Sequence, residues 1–305
     1  MANDESESEP FAATREPPPR ALTRVSPMVR RLVAPNASPF TFNGTCTYIV
    51  GEARVAIVDP GPADDSHLSA LLAAVDGERV ETILVTHTHR DHVEGVNKLR
   101  AATGAQVVGA APFMARGDGS AGLDSAHDRN YSPDAVLAGG ERRRGAGFTI
   151  EAIATPGHCA NHLCFALLEE NALFSGDHVM AWSTSVVAPP DGSMRAYMDS
   201  LDKLRGRAET LYWPGHGGPV LEPQRYIRAL IHHRRQREAS ILNTLVDGPQ
   251  TIPALVARIY VGLNPSLTQA AGLSTLAHIE DLSERGLVAG EAPAGGEARF
   301  RLAQG

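Results

Sequence analysis

Three histidines and an aspartate crowd the segment THTHRDH, where His87, His89, Asp91 and His92 directly follow the apolar run ETILV. Imidazole and carboxylate groups are ligands that suit borderline divalent metals such as zinc. A lone histidine is more often packed or solvated than metal-bound, so this reading needs similar groups elsewhere in the chain. The segment therefore predicts metal-assisted chemistry just past a strand, provided that further ligands exist.

Three further candidates each follow a glycine at the end of a later strand-like segment: His158 in TPGH, Asp177 in FSGD and His216 in WPGH. Glycine permits the tight backbone that directs the next side chain into a site. Strand ends in layered sheets converge on one crevice. We therefore expect the distant segments to meet in a single pocket.

Seven donors are too many for one tetrahedral ion and suit two divalent ions, with Zn²⁺ as the expected metal. Such a pair shares one carboxylate and one water, and its ions lie roughly 3.5–4 Å apart. It lowers the pKa of the water toward neutrality, so that hydroxide attacks a carbonyl or a phosphorus. Asp91 is the predicted catalytic residue, because it binds metal and can orient the nucleophile or accept its proton. The sequence thus predicts hydrolysis without a covalent enzyme intermediate.

The elements that position these groups alternate between strands and helices. Residues 1–20 are rich in Glu, Ser and Pro and predict a mobile tail. In residues 21–225, VETILVTH is almost continuously apolar, as expected for a sheet covered on both faces. Strand signals recur with flanking helices in two halves. This pattern predicts a layered α/β sandwich as the catalytic domain.

Residues 226–305 change pattern to a long amphipathic helix, two further helices and a hairpin with a turn at 294–296. We predict a winged-helix-like C-terminal domain. From Arg234 onward it holds seven Lys/Arg and seven Asp/Glu, a balance that disfavours specific duplex-DNA binding. It is expected to wall the active-site cleft or to mediate homodimerisation.

The motifs THTHRDH, TPGH, SGD and PGHG, in this order, resemble the signature of the metallo-β-lactamase superfamily. The resemblance implies an αββα sandwich. It also implies that His87, His89 and His158 hold one metal, that Asp91, His92 and His216 hold a second, and that Asp177 bridges them.

Further stretches, GDHVMAWSTSVVAPPDG and HHRRQREASIL with the winged-helix tail, resemble the beta-lactamase-like protein 2 group. Some members of that group are zinc-dependent endoribonucleases acting on single-stranded RNA. The chain departs from the pattern at Cys159, where relatives usually carry a small hydroxyl residue. A thiol there could add redox sensitivity, although a small side chain facing the core is the favoured reading.

Secondary candidates lie beside the ligands. Asp59, at a strand end, could orient a ligand or cap a turn, and His162 could orient a ligand or belong to the core. Trp182, Ser183 and Thr184 follow Asp177 in a polar, Pro-rich loop and are candidates for substrate contact.

The net charge, the cysteine count and the apolar runs limit the kinds of partner that the chain is expected to bind. A net charge of −7 gives no long-range attraction to nucleic acid or membrane, and three cysteines without framework spacing indicate reduced thiols in the cytoplasm. No apolar run approaches the roughly 18 residues that span a bilayer. Two basic runs, at 141–145 and 232–237, could grip phosphate, although such runs usually form solvated faces.

Three functions compete. A phosphodiesterase or endoribonuclease acting on single-stranded RNA is favoured by the group resemblance. A thioester hydrolase of the glyoxalase II type shares the metal set and has a helical extension. A nonenzymatic DNA-binding regulator is disfavoured by the intact ligand set.

Overall fold

The computed structural model describes residues 21–115, 124–291 and 297–303. The predicted tail at 1–20 and the predicted turn at 294–296 lie outside these residues. The strands are β1 (Thr23–Arg24), β2 (Val29–Val33), β3 (Cys46–Val50), β4 (Arg54–Val58), β5 (Arg79–Val85), β6 (Gln106–Gly109), β7 (Ala135–Val136), β8 (Arg142–Arg144), β9 (Thr149–Ala154), β10 (Leu163–Leu167), β11 (Ala172–Gly176), β12 (Leu211–Pro214), β13 (Val288–Glu291) and β14 (Arg299–Leu302). The helices are α1 (Asp65–Ala74), α2 (Arg90–Val93), α3 (Val96–Thr103), α4 (Met194–Arg205), α5 (Pro223–Leu245), α6 (Ile252–Ile259) and α7 (Thr268–Glu284).

Two mixed sheets form the catalytic unit. The first has the order β1 to β7, antiparallel as far as β4 and parallel from β4 onward. The second has the order β12-β11-β10-β9-β8, with β11 and β12 parallel and the other pairs antiparallel. The strands β9, β11 and β12 consequently run in one direction, so their carboxyl ends lie at the same edge.

The sheets pack face to face through alternate apolar side chains. Tyr48 and Leu84 of the first sheet share a core with Phe165 and Phe174 of the second. The opposite faces pack against helices. Helices α1 and α3 cover the first sheet, and α4 and α5 cover the second. These four layers are the predicted αββα sandwich.

The apolar spacing of the sequence predicts a helix from Val93 to about Ala102, whereas α2 ends before Gly95 and α3 begins after it. The Gly95 N–H donates to the Gly61 carbonyl at 2.9 Å, and a β-carbon at this position would lie 3.0 Å from the Pro60 carbonyl oxygen. The turn after β4, at Pro60 and Gly61, therefore packs directly against the backbone at Gly95. A side chain at this position would crowd that backbone, which favours glycine, and α3 begins at Val96, three residues later than predicted.

Helix α5 connects the two predicted domains. Its first half, with Tyr226 and Ile227, packs on the second sheet. Its last turns place Ile241 and Leu245 in a separate small core with Leu255, which belongs to α6. The predicted boundary at residue 225 stays a prediction, because one continuous helix spans both units.

The two basic runs have different surroundings. Arg142 lies on the edge strand β8 and pairs with Glu151 at 2.6 Å, as expected for an exposed run. Arg234, within the second run, is only 3% exposed. The expected solvated face is therefore wrong for Arg234, because α7 and the loop after β11 pack over this side of α5. In the described ranges, no helix has the length and apolar character needed to cross a bilayer.

His278 of α7 is buried, and we expect it to make the free energy of unfolding depend on pH. Burial and nearby positive charges lower its pKa to about 3. The neighbouring basic groups that contribute are Arg234, His233, Arg285 and Arg237. The unfolded chain binds this proton near pH 6.5, so the stabilisation is complete above that pH and is lost as pH falls toward 3.

His278→Leu should remove about 2 kcal/mol of the wild-type loss in stability between pH 7 and pH 5. Urea unfolding at both pH values measures it. His232→Leu, at an exposed position on α5, is the matched control. Equal pH slopes for wild type and His278→Leu would contradict the expectation.

Candidate metal centre

Three ring nitrogens converge just beyond the end of β5. His87 Nε2 lies 3.1 Å from His89 Nδ1, which lies 3.0 Å from His158 Nε2. Asp177 Oδ2 approaches the same point, at 3.9 Å from His87 Nε2 and 3.7 Å from His158 Nε2. All four side chains are at least nine-tenths buried.

A second group lies on the other side of Asp177. His216 Nε2 is 3.3 Å from Asp91 Oδ2 and 3.4 Å from Asp177 Oδ1. His92 Nε2 is 3.5 Å from each of the same two oxygens. The two oxygens of Asp177 thus face different groups of donors.

These separations fit divalent ions. Ligands bonded at 2.0–2.1 Å in a tetrahedron lie about 3.3 Å apart, close to the spacing within each group. His92 Nε2 and Asp177 Oδ1 are buried and have no hydrogen-bond partner among the described residues. Buried polar atoms are normally satisfied, so their missing partner is consistent with a cation. The structure brings together all seven predicted ligands, and their ligation of metal is a proposal.

The ring nitrogens that face away from the site orient the histidines. The His158 Nδ1–H donates to the Val186 carbonyl at 2.6 Å, and the His216 Nδ1–H donates to the Gly44 carbonyl at 3.3 Å. His87 Nδ1 lies 2.9 Å from the Thr86 hydroxyl. These contacts hold Nδ1 away from the site and turn Nε2 toward it, the orientation that a metal-binding histidine requires.

Asp59 has the placement expected of an orienting residue. Its carboxylate accepts from His92 Nδ1 at 2.9 Å, from the Thr86 N–H at 2.8 Å and from the Thr86 hydroxyl at 2.7 Å. Its backbone has a φ of 49°, in the left-handed region. The Thr47 hydroxyl donates to the Asp59 carbonyl at 2.7 Å and helps to hold this conformation.

His162 contacts Asp177 through the backbone. Its Nε2 accepts the Asp177 N–H at 3.2 Å, and its Nδ1 lies 2.9 Å from the Thr155 hydroxyl. The ring is fully surrounded and faces Gly176, where a β-carbon would lie 2.6 Å from Nε2. Of the two readings left open, these contacts favour the orienting one.

Electrostatics differ between the two groups of donors. Burial, followed by repulsion from His92 and His89, lowers the pKa of His87, so that this ring is neutral. Burial also opposes the charged form of His216, but Asp177 and Asp91 outweigh it and raise its pKa to about 9. The first group therefore presents neutral nitrogens, and the second places its histidines against carboxylates.

A cavity of about 260 Å³ opens directly over both groups. It is lined by Phe40, Thr41, His89, Asp91, Ala126, His158, Asp177, Met180, Val186 and His216. Apart from the candidate ligands, the lining is Thr41 and four apolar side chains. No lysine or arginine is among the described residues that line it.

Family comparisons agree with this geometry. A model of the metallo-beta-lactamase superfamily matches residues 40–216, more than half of the chain, and includes every candidate ligand. The chain belongs to the metallo-β-lactamase superfamily. A model of the beta-lactamase associated winged helix domain matches residues 251–295. The predicted fold, with its winged-helix tail, is confirmed.

Individual relatives add detail. The beta-lactamase-like protein 2 homolog of Drosophila melanogaster is 31% identical over 274 residues, covering 87% of this chain and 91% of the relative. An atrochrysone carboxyl ACP thioesterase of Aspergillus fumigatus is 32% identical over 227 residues, 72% of this chain and 66% of the relative. A beta-lactamase domain protein from Burkholderia ambifaria shares the fold, with a TM-score of 0.81, 22% identity and 96% coverage of each chain.

These comparisons confirm the predicted group and a hydrolytic enzyme. The chain has two groups of His and Asp side chains that could each hold a metal ion, within the region that matches the superfamily model. The number and identity of the ions stay predictions.

The predicted substrate residues Trp182, Ser183 and Thr184 are not among the residues that line the cavity above the donor groups. Trp182 stacks on Phe42, with ring centroids 5.1 Å apart, and Ser183 Oγ donates to the Thr184 carbonyl at 3.3 Å. Their contact with substrate stays a prediction.

The structure also places near the donor groups residues that the sequence analysis did not single out. Thr45 donates through Oγ1 to Asp91 Oδ2 at 3.1 Å, and the Val186 carbonyl orients His158. Phe40 and Met180 form apolar walls of the cavity. Thr45 could have been found from the sequence, because it is a polar residue directly before the start of β3. Nothing in the sequence distinguishes Val186, Phe40 or Met180 from other apolar residues. Cys159, where the chain departs from its relatives, is buried and its Sγ lies 3.3 Å from Asn161 Oδ1.

Proposed function

We propose that this chain is a metal-dependent thioester hydrolase that acts on substrates with an apolar acyl group. The observation that carries the proposal is the cavity above the donor groups, whose walls beyond those donors are mainly apolar. An acyl chain is stabilised there by transfer from water to an apolar surface. The cavity leaves the candidate metal donors at its floor, where the scissile carbonyl would lie.

His87, His89 and His158 would hold one ion, Asp91, His92 and His216 a second, and Asp177 would contact both through its separate oxygens. Two nitrogen-rich groups of donors favour Zn²⁺ over Mg²⁺ or Ca²⁺, which prefer oxygen ligands. When bound, such ions lower the pKa of water and polarise the attacked carbonyl.

Asp91 is the side chain that we propose to orient the attacking water. Asp91 lines the cavity, and 28% of its side chain is accessible. It is more exposed than His92 and His216, the other two donors of its group. The Thr45 hydroxyl fixes one of its oxygens. Although burial opposes ionisation, His92 and His216 hold its pKa well below the usual range. The carboxylate is therefore a weak proton acceptor, and orientation is its favoured role.

Single-stranded RNA, the substrate favoured by the sequence, stays a prediction. A polynucleotide needs cationic or aromatic groups along its path. Among the described residues that line the cavity, Phe40 is aromatic and none is a lysine or arginine. Of the basic runs, Arg142 pairs with Glu151 and Arg234 is buried. The thioesterase name of the Aspergillus fumigatus relative supports the thioester proposal further.

A substrate panel tests the proposal. Zn²⁺-loaded protein is incubated with acyl thioesters of increasing chain length, S-lactoylglutathione, a phosphodiester chromogen and single-stranded RNA. We expect kcat/KM to be highest for an apolar acyl thioester and hydrolysis to disappear in chelator-treated protein. Metal-dependent RNA cleavage without thioester hydrolysis would replace the proposal with the endoribonuclease alternative. A cytoplasmic location and a homodimer stay predictions.

A further inference from the structure

We infer that the C-terminal module is part of the metal centre, because Arg234 of α5 fixes the loop that orients two candidate ligands. The loop runs from Asp177 to Val187 and lies between the donor groups and the C-terminal helices. The inference rests on the proposed metal centre and assigns Arg234 as a positioning residue.

The loop holds the candidate ligands from behind. The Val186 carbonyl accepts the His158 Nδ1–H at 2.6 Å and so aims the opposite nitrogen, Nε2, at His89. The Ser185 hydroxyl lies 2.5 Å from the Asp177 carbonyl and 2.9 Å from the His178 carbonyl. A shift of Ser185 and Val186 would therefore move one histidine and the bridging aspartate together.

Arg234 secures this loop from the C-terminal side. Its Nη2 donates to the Ser185 carbonyl, and its guanidinium lies over the ring of Tyr197, 5.0 Å from the centroid. The Tyr197 hydroxyl in turn donates to the His178 carbonyl at 3.0 Å. The buried Arg234 thus connects α5 and α4 to the loop backbone near its start, at His178, and near its end, at Ser185.

Helix α7 makes an independent contact with the same loop. The Val187 N–H donates to Ser274 Oγ at 3.4 Å. Ser274 is buried, like Ser185 and Arg234. Helix α5, which continues from the sandwich into the appended module, and α7 therefore hold two consecutive stretches of the loop, and the α7 contact gives that module a role at the site.

Arg234 is a buried cation whose hydrogen bond to the Ser185 carbonyl explains its position. Among the described residues, no carboxylate lies within ion-pair distance of its guanidinium, and its Nε has no partner. A buried cation without a counter-ion is costly unless its hydrogen bonds are needed. The Ser185 carbonyl is the acceptor that uses it, and without Arg234 this buried carbonyl would lose its donor.

The experiment uses the full chain with three substitutions on α5. Arg234→Met keeps much of the apolar stem and removes the donors, Arg234→Lys restores a charged donor, and Arg235→Met changes the exposed neighbouring arginine as a control. Circular dichroism and thermal unfolding of metal-free protein establish folding. Zn²⁺ affinity and stoichiometry are measured by competition with a chromophoric chelator, and Co²⁺ absorption spectra report the coordination of the bound ion.

We expect Arg234→Met to weaken Zn²⁺ binding about 10-fold or more and to change the Co²⁺ spectrum, as the loss of a ligand-orienting contact does. Arg234→Lys should recover much of the affinity, and Arg235→Met should match wild type. Wild-type Zn²⁺ affinity and an unchanged Co²⁺ spectrum in folded Arg234→Met would overturn the inference. So would equal losses in the Met and Lys variants.

If Arg234→Met does not fold, Ser274→Ala decides the matter, because it removes the α7 contact with Val187 while keeping Arg234. A weakened Zn²⁺ affinity supports the inference, and an unchanged affinity overturns it. Failure of the proposed function is distinguishable. Wild type that binds Zn²⁺ but hydrolyses no thioester leaves this inference standing, whereas wild type that binds no Zn²⁺ refutes the metal centre itself.

Discussion

Replacing Asp91 with asparagine is expected to lower kcat/KM of the Zn²⁺-loaded protein by about 10³-fold, the scale for loss of a group that stabilises the transition state. The amide keeps the shape of the side chain but removes its negative charge. Asp91 Oδ2 lies 3.3 Å from His216 Nε2 and 3.5 Å from His92 Nε2, where a second cation would need that charge. The variant should also bind one Zn²⁺ fewer than wild type. Steady-state kinetics and metal analysis by plasma mass spectrometry measure the two effects.

Asp76→Asn provides the matched control for Asp91→Asn. Asp76 is exposed and precedes β5, whereas the donor groups follow the other end of that strand. The control should retain wild-type turnover and metal content. If Asp91→Asn kept more than about a tenth of wild-type kcat/KM while binding one Zn²⁺ fewer, the second donor group would not take part in the chemistry.

The candidate ligands could be predicted because their signal is local. His158, Asp177 and His216 each follow a glycine at a strand end, and strand ends of layered sheets meet at one edge. Asp59 was accessible in the same way, as a carboxylate directly after β4. The layers were predictable too, since nearly continuous apolar strands require cover on both faces.

The supports of the site could not be predicted, because most are contacts between distant backbone groups. The Val186 carbonyl orients His158 and the Gly44 carbonyl orients His216, but a carbonyl is the same in every residue. Met180 likewise resembles any other apolar residue until the fold places it on the cavity wall. The sequence pattern of Arg234 indicated a different environment from the one that it has. A basic run normally indicates a solvated face, and here the packing of the loop and α7 over α5 overrides that expectation.

The break between α2 and α3 shows the same limit within one element. Apolar periodicity favours a helix that begins near Val93, whereas α3 begins after Gly95, at Val96. The interruption depends on Gly61 and Pro60, whose carbonyl groups approach the helix from the preceding strand end. Periodicity therefore predicted which face is buried, whereas the register of the turn depended on tertiary contacts.

Gly215→Ala is expected to disrupt the metal centre while leaving the fold intact. A β-carbon at Gly215 would lie 2.5 Å from Asp177 Oδ1 and 2.7 Å from His92 Cε1, so one of these side chains has to move. The φ of Gly215 is not in the left-handed region, so alanine adds no backbone strain there. The change therefore acts on the donors, and the second Zn²⁺ and about 10²-fold of kcat/KM should be lost.

Gly206→Ala is the control for the added methyl group, because its β-carbon would meet only the Lys203 carbonyl at 3.5 Å, an ordinary contact. Metal-free Gly215→Ala should unfold within a few degrees of metal-free wild type, whereas added Zn²⁺ should raise the Tm of wild type more than that of the variant. This difference in Tm follows from ligand linkage, since an ion that binds the folded state more weakly stabilises it less. Full Zn²⁺ stoichiometry together with wild-type turnover in Gly215→Ala would show that His92 and Asp177 do not share the second site. The glycine before His216 would then matter only for the turn, and the close approach of the two donor groups would have no role in catalysis.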